Sequence, residues 1–169
     1  VKVLDIATGT GRTLQQIQSA LPEVELYGLD LSGSYLKQAC KYLSSRNGDI
    51  VQLTKANAEK TPYPSNNFQA LTCVFLLHEL PRDARQNVLD ECYRLLEPGG
   101  TFVLADSIQI EDSPKFTSIM ENFHKIFHEP YYRDYIIDDI NIRLEESGFS
   151  SITSESYFMT KVWKANKPI

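Results

Sequence analysis

The chain reads as an α/β protein: a Rossmann-like, doubly wound sheet of seven strands, mostly parallel, with a C-terminal antiparallel hairpin and a helical insert after the fifth strand. Three observations predict this. Short apolar runs alternate with stretches whose apolar residues recur at helical spacing, the pattern of a parallel sheet covered by helices. A glycine-punctuated loop follows the first apolar run. The last two strand-like runs lie too close together for a crossover helix, so they must pair antiparallel.

Residues 1–7 form a buried strand that ends in the tight loop Thr8-Gly9-Thr10-Gly11. Leu14, Ile17 and Leu21 then repeat at helical spacing until Pro22. Residues 25–30 are a second strand, after which Ser32 or Ser34 caps a helix carrying Leu36, Ala39, Cys40 and Leu43, broken by Asn47-Gly48. Residues 50–56 are a third strand. Beyond the proline-rich loop 61–67, residues 68–77 are almost continuously apolar, as a central strand buried on both faces should be. Ala84, Val88, Leu89, Cys92, Leu95 and Leu96 mark the next helix, stopped by Pro98-Gly99-Gly100, and residues 101–105 are the fifth strand. Five strand-helix alternations are thus expected.

The last third breaks that rhythm. Residues 107–138 exceed by far the roughly two to six residues of a strand-helix loop, and within them Phe116, Ile119, Met120, Phe123, Ile126 and Phe127 predict a helix with an apolar face. A further helix at about 138–147 closes at Gly148, and residues 151–157 and 161–165 form the hairpin.

The 169 residues, 42% apolar and 23% charged, fit one globular domain. A formal charge of -5 provides no basic footprint, which argues against duplex nucleic acid as a partner. No apolar stretch approaches the ~18 residues of a membrane span, and the simplest address is cytoplasmic. Cys40, Cys73 and Cys92 are odd in number and lack CxxC spacing, so they predict neither a disulfide framework nor zinc. His124 and His128 stand four apart, but no third ligand accompanies them, and no metal is expected.

In an open α/β sheet, ligands bind beyond the carboxyl ends of the strands where strand order reverses. Gly9 and Gly11 let the backbone turn there and approach a ligand closely. Asp30, at the end of the second strand, is placed to accept hydrogen bonds from ribose hydroxyls. Taken singly, the loop also reads as a plain turn and Asp30 as a helix cap. A dinucleotide fingerprint would want a small residue where Leu14 stands, so a cofactor without pyrophosphate fits better than NAD.

These residues resemble the class I S-adenosylmethionine-dependent methyltransferases, within them the branch of ubiquinone/menaquinone C-methyltransferases and related small-molecule enzymes. Residues 3–11 look like motif I, Leu29-Asp30-Leu31-Ser32 like the acidic end of the second strand, and Asn57-Ala58-Glu59 with Pro62-Tyr63-Pro64 like the adenine-side segment. His78-Glu79-Leu80 closes a fourth-strand motif, and residues 94–100 match the turn after the following helix. The resemblance implies S-adenosylmethionine as cofactor and S-adenosylhomocysteine as product. It implies that Asp5, Ala7, Thr8, Gly9 and Gly11 cradle the methionine end, that Asp30 holds the ribose, and that Leu31, Asn57 and Ala58 meet adenine. Phe75 and Leu76 would lie beside the sulfonium. Ala7 replaces the usual first glycine, Asn57 a frequent Asp, and Gln69 a common Asp.

The implied reaction is methylation of a small-molecule acceptor at carbon or oxygen, the acceptor aromatic or quinone-like; the alternative is a catalytically silent cofactor-binding module with a regulatory or interaction role. His78 is the candidate base, with a helix cap or backbone hydrogen bond as its structural counterpart. Of the insert, His124, His128, Tyr131 and Tyr132 are the candidates for contact with the acceptor, against the simpler role of packing. Since helical segments normally precede the first strand in this family, a chain opening at Val1 is expected to be a single domain, 1–169, without its N-terminal helical lid.

Overall fold

The computed structural model describes residues 1–44 and 51–169, apart from the side chains of His124 and Ile126. Seven strands form one sheet: β1 (Lys2–Ile6), β2 (Glu25–Asp30), β3 (Gln52–Lys55), β4 (Phe68–Val74), β5 (Leu96–Ser107), β6 (Ser150–Tyr157) and β7 (Thr160–Asn166), in the order β3-β2-β1-β4-β5-β7-β6. The first five run parallel, and β7 lies antiparallel to both β5 and β6. Strand order therefore reverses between β1 and β4, where a ligand crevice is expected.

Helices α1 (Arg12–Ala20), α2 (Gly33–Ser44) and α3 (Arg82–Leu95) cover the sheet, followed by α4 (Thr117–Phe127), α5 (Tyr132–Tyr135) and α6 (Ile140–Glu146). The period-2 alternation of β1 divides the core between two faces. Val3 joins Leu14, Leu26 and Leu43 beneath α1 and α2, whereas Leu4 and Ile6 join the larger cluster with Phe68, Leu95, Phe102, Leu144 and Trp163. Each such fully buried side chain stabilises the fold by about 1.5–3 kcal/mol. Aromatic edges organise part of this core: Tyr27, Tyr63 and Phe68 meet pairwise at 5.2–6.0 Å, and Phe102 stacks on Phe149 at 5.4 Å.

Several local expectations change. Residues 56–67, between β3 and β4, hold no helix, only an isolated bridge from Asn57 to Lys60, so the strand-helix alternation is interrupted there. Hydrogen bonds from the Thr61 backbone N–H and hydroxyl to Glu91 Oε1, both 2.7 Å, and from Arg94 to the Tyr63 carbonyl tie this connection to α3 instead. β5 begins at Leu96 rather than Thr101, because Leu96 pairs with Phe68 and residues 97–100 bulge out before pairing resumes at Thr101. β4 stops at Val74, since Phe75 turns into a left-handed conformation with φ 54°.

The α2 cap is Ser32, whose Oγ accepts from the Tyr35 N–H at 3.3 Å; Ser34 contributes only a hydroxyl contact to Ser32. The break at Asn47-Gly48 and the start of the third strand at Ile50 lie outside the described residues. Asp139 caps α6 through the Asn141 and Ile142 N–H groups, and Gly148, at φ 100°, ends it. On α4 the apolar stripe is only half covered: Met120 is buried, while Ile119 and Phe127 are exposed.

Candidate functional site

At the reversal point a cavity of about 390 Å³ opens between the ends of β1, β2, β3 and β4, within the range of small-molecule sites. Its floor comes from the loop after β1, where Ala7, Gly9 and Gly11 all have positive φ, at 56°, 54° and 81°. A Cβ on Gly9 would meet nothing within 4 Å, so that backbone faces open space, whereas one on Gly11 would meet Ala39 Cβ at 3.1 Å. Gly9 thus opens the cavity, and Gly11 lets the loop pack closely on α2. Ala7 holds the same left-handed geometry at the cost of Cβ strain that glycine would avoid.

Asp30 braces this loop. Its Oδ2 accepts the Gly9 N–H and its Oδ1 the Ser32 N–H, both at 2.8 Å. A carboxylate has about four acceptor positions, so two remain for hydroxyl donors in the cavity that Asp30 lines. Leu31, Tyr35, Asn57 and Ala58 form one wall, and Phe75, Leu76, Glu79 and Leu80 the other. Phe75, like Ala7, is a non-glycine residue in the left-handed region, and such strain clusters at functional sites.

The structure therefore brings Ala7, Gly9, Asp30, Leu31, Asn57, Ala58, Phe75 and Leu76 around one space. It does not bring Asp5, Thr8 and Gly11 into that lining. Asp5 pairs in register with Gly28 and Thr72 inside the sheet and is 1% exposed. Its carboxylate accepts the hydroxyls of Thr8 at 2.7 Å and Thr72 at 2.6 Å. Burial pushes its pKa up to about 6 against the opposing pull of those two hydrogen bonds. Asp5 and Thr8 are consequently the inner brace of the glycine loop, one layer behind the cavity.

Beside the cavity the Leu77–Glu79 turn carries His78. Its Nδ1 lies 2.6 Å from Oδ1 of Asp106, a fully buried carboxylate at the end of β5. Asp106 also accepts the backbone N–H groups of Leu77 at 2.8 Å and Ser107 at 2.7 Å. Burial pulls the His78 imidazolium pKa down, but the hydrogen bond and charge of Asp106, aided by Glu79 and Glu129, outweigh it and the net shift is upward. Glu79, raised chiefly by burial, lines the cavity; one donor atom each of His78, Glu79 and Glu129 lies within 4.8 Å of the others. The imidazole edge meets the rings of Phe75, Tyr132 and Tyr135 at 6.0–6.2 Å.

Tyr132 is not a cavity residue. It is buried, its hydroxyl is 2.7 Å from Ser107 Oγ, and its ring stacks on Phe123, contacts that belong to packing. Tyr131 and His128 are exposed and lie outside the cavity lining; His128 ends α4 in a left-handed conformation. The His124 side chain lies outside the described residues.

Beneath His78 sits Arg85, a fully buried cation. It donates to the Leu77 carbonyl at 3.0 Å, to Asp134 at 2.7 Å, to Asp138 at 2.8 Å and to the Tyr131 carbonyl at 3.1 Å. It thereby fastens α5 and the turn carrying His78 to α3. Sequence reading missed Arg85 and Asp106. Asp106 had a signal, as an acid at the carboxyl end of a parallel strand; Arg85 had none, since its acidic partners lie 49 and 53 positions away.

Comparison with known proteins adds to this geometry. A family model described as a methyltransferase domain matches residues 3–100. A ubiquinone/menaquinone biosynthesis C-methyltransferase of Desulfotalea psychrophila is 35% identical over 106 residues, covering 63% of this chain and 41% of that protein. A demethylmenaquinone methyltransferase of a Geobacillus strain is 30% identical over an alignment of 178 positions, covering 92% of this chain and 74% of that protein. This chain thus spans under half the length of the first relative and about three quarters of the second. Among solved structures, a candidate methyltransferase of Bacillus halodurans C-125 superposes with a TM-score of 0.82 at 20% identity, over 99% of this chain and 93% of that one.

Proposed function

The chain belongs to the methyltransferase-domain family of class I S-adenosylmethionine-dependent enzymes, and from that premise we propose that it methylates a small aromatic or quinone-like acceptor at carbon or oxygen. The observation that carries this is the pairing of a switch-point cavity with a polar dyad at its side: Asp30 and Gly9 face one end, and His78 with Asp106 adjoins the other.

The residues present fit the cofactor. A nucleoside needs a carboxylate with spare acceptor positions for its ribose, and Asp30 has them; it needs backbone that approaches closely, and the open side of Gly9 provides it. Leu31 and Ala58 offer apolar contact to adenine, and Asn57 offers a side-chain amide to its edge. Phe75 and Leu76 would flank the reacting end. Bound S-adenosylmethionine supplies an electrophilic methyl group whose bonding pair stays with sulfur on transfer. What this chain's own residues contribute is alignment, worth up to ~7–11 kcal/mol of barrier in well-oriented systems, and removal of an acceptor proton by His78 where the acceptor has one to lose.

The quinone direction is supported by the two relatives, which carry quinone-biosynthetic names, and by the aromatic rings of Phe75, Tyr132 and Tyr135 around His78. A silent binding module would have no use for a histidine oriented by a buried aspartate, so the enzymatic reading is preferred.

Two measurements test it. Calorimetric titration with S-adenosylhomocysteine is expected to show binding well below 1 mM, and its absence at about that concentration would sink the cofactor assignment. Methyl-labelled S-adenosylmethionine offered with a panel of phenols, catechols and naphthohydroquinones is expected to label at least one. Labelling of amines or thiols alone would replace the acceptor class.

A further inference from the structure

We infer that Asp106 is a positioning residue that fixes His78 with its proton on Nδ1 and its free electron pair on Nε2, and that the acceptor therefore bears an ionisable hydroxyl whose proton Nε2 receives. This rests on the methyltransferase reading for the identity of the methyl donor, but its structural half stands on the dyad alone.

Asp106 cannot turn away from His78. Its oxygens are held by the Leu77 and Ser107 N–H groups at 2.8 and 2.7 Å, and it is wholly buried at the end of β5. An ionised carboxylate only accepts hydrogen bonds, so the nitrogen 2.6 Å from it must be the one that carries hydrogen. Nε2 is then the acceptor whenever the ring is neutral. This is the logic by which a buried acid orients a catalytic imidazole.

The ring itself is gripped on several sides. Phe75 and the α5 tyrosines Tyr132 and Tyr135 pack edge-on against it. The charged groups that face His78 are Asp106 from β5, Glu79 from its own turn and Glu129 from the insert, all acidic and all favouring the imidazolium formed when a proton arrives. Arg85 touches the turn only through the Leu77 carbonyl.

Proton removal serves some acceptors and not others. A tertiary amine or thioether already presents a lone pair to the methyl group, and a base contributes nothing to its methylation. A phenol or quinol does need one. Its O–H proton passes to Nε2, the electron pair left on the acceptor forms the bond to the methyl carbon at oxygen or at a conjugated ring carbon, and the sulfur–methyl bond breaks with its pair retained by sulfur. For attack through carbon, the dienone first formed loses its ring C–H proton to water while its oxygen takes back the proton held on Nε2, restoring the aromatic hydroxyl. Charge balances in both cases, and the products are methylated acceptor, neutral S-adenosylhomocysteine and one proton.

The tautomer can be read without any acceptor. In nitrogen-15 NMR of the wild-type protein above the His78 pKa, the proton is expected on Nδ1; a neutral ring carrying it on Nε2 overturns the inference. Asp106→Asn is expected to lower the His78 pKa and to move the acidic limb of the rate profile with 1,4-naphthohydroquinone toward lower pH. Its turnover should fall by about 10²-fold or more, with S-adenosylhomocysteine affinity kept within about threefold. Turnover within twofold of wild type, with the limb unmoved, is the opposing result, and so is activity that EDTA abolishes and a divalent cation restores. The dimethyl ether of the same quinol should not be methylated. If the Asn variant fails to fold, the wild-type tautomer decides. Failure of wild-type protein to bind S-adenosylhomocysteine would instead strike the methyltransferase reading and leave the tautomer result standing.

Discussion

The two halves of the cavity are built by different means. On the β1–β3 side the surface is backbone: a loop with three left-handed residues and one carboxylate that bonds two main-chain N–H groups. On the β4 side it is side chain: Phe75, Leu76, Glu79 and Leu80 line it, with His78 beside them held by Asp106 and its turn held by Arg85, whose acidic partners come from the insert. A backbone-built surface depends on a few conformations and tolerates substitution elsewhere. A side-chain-built one depends on a set of distant residues that must all be present.

The largest expected effect tests the second half. Arg85→Ala removes one of the two close cations of buried Asp138, leaving Arg143 at 2.5 Å, together with the donors to the Leu77 and Tyr131 carbonyls, so the cost should fall near the lower end of the roughly 3–5 kcal/mol of a broken buried pair. Urea unfolding should show that loss, while S-adenosylhomocysteine affinity in the still-folded fraction changes little. An equal loss of affinity would mean that the halves are not separable. Next, Asp30→Ala removes the acceptor for the Gly9 N–H together with the proposed ribose contact. With charge-assisted hydrogen bonds worth roughly 1.5–3 kcal/mol each, titration should show at least about a 100-fold weaker complex, with stability less affected than in Arg85→Ala.

Asp5→Asn sharpens the contrast through pH. Burial pushes the folded carboxyl up to about 6 from its ordinary value of 3.8. A raised carboxyl pKa means that the unfolded state loses its proton first, so folding stability falls as pH rises between those values. At 1.36 kcal/mol per unit, the cost above pH 6 is on the order of 2–3 kcal/mol. The Asn variant should therefore be more stable than wild type at pH 7.5 and no more stable at pH 3.5, as followed by thermal unfolding at both. The smallest effect is Ala7→Gly, which relieves a left-handed alanine and should raise stability by about 1 kcal/mol without altering the loop. A loss of stability there would mean that the alanine methyl packs usefully.

The same division decided what could be read from sequence. Gly9, Gly11 and Asp30 were legible because a sharp turn needs glycine and a strand-end acid is local to its loop. The parallel order, the hairpin and the long insert were legible for a similar reason, since apolar period and connection length are local. The depth of Asp5 behind the cavity lining was not legible, because period-2 alternation says which face a side chain takes, not how deep it lies. Its register against Thr72 supplies the depth. The position of Tyr132 outside the cavity lining was not legible, because an aromatic in an insert looks the same whether it lines a pocket or packs behind one. Residues 56–67 broke the expected alternation because their anchors, Glu91 and Arg94, lie on a later helix. Asp106 and Arg85 draw their roles from partners 28–53 positions away, which no local pattern encodes.

The reversed direction of β7 has a consequence for how such a domain can diversify. Thr160 pairs with Ser107, so the turn between β6 and β7 emerges at the same edge as the ends of β1, β4 and β5. There Phe158 meets Phe116 of the insert, and the Met159 carbonyl accepts the Ile108 N–H. With β7 parallel to β5, that connection would have fallen on the opposite edge. As it is, a short turn late in the chain adjoins the insert while sharing no residue with the glycine loop. Substitutions at 157–160 can therefore accumulate beside the insert without passing through the glycine loop, so the two ends of this sheet edge are free to change independently.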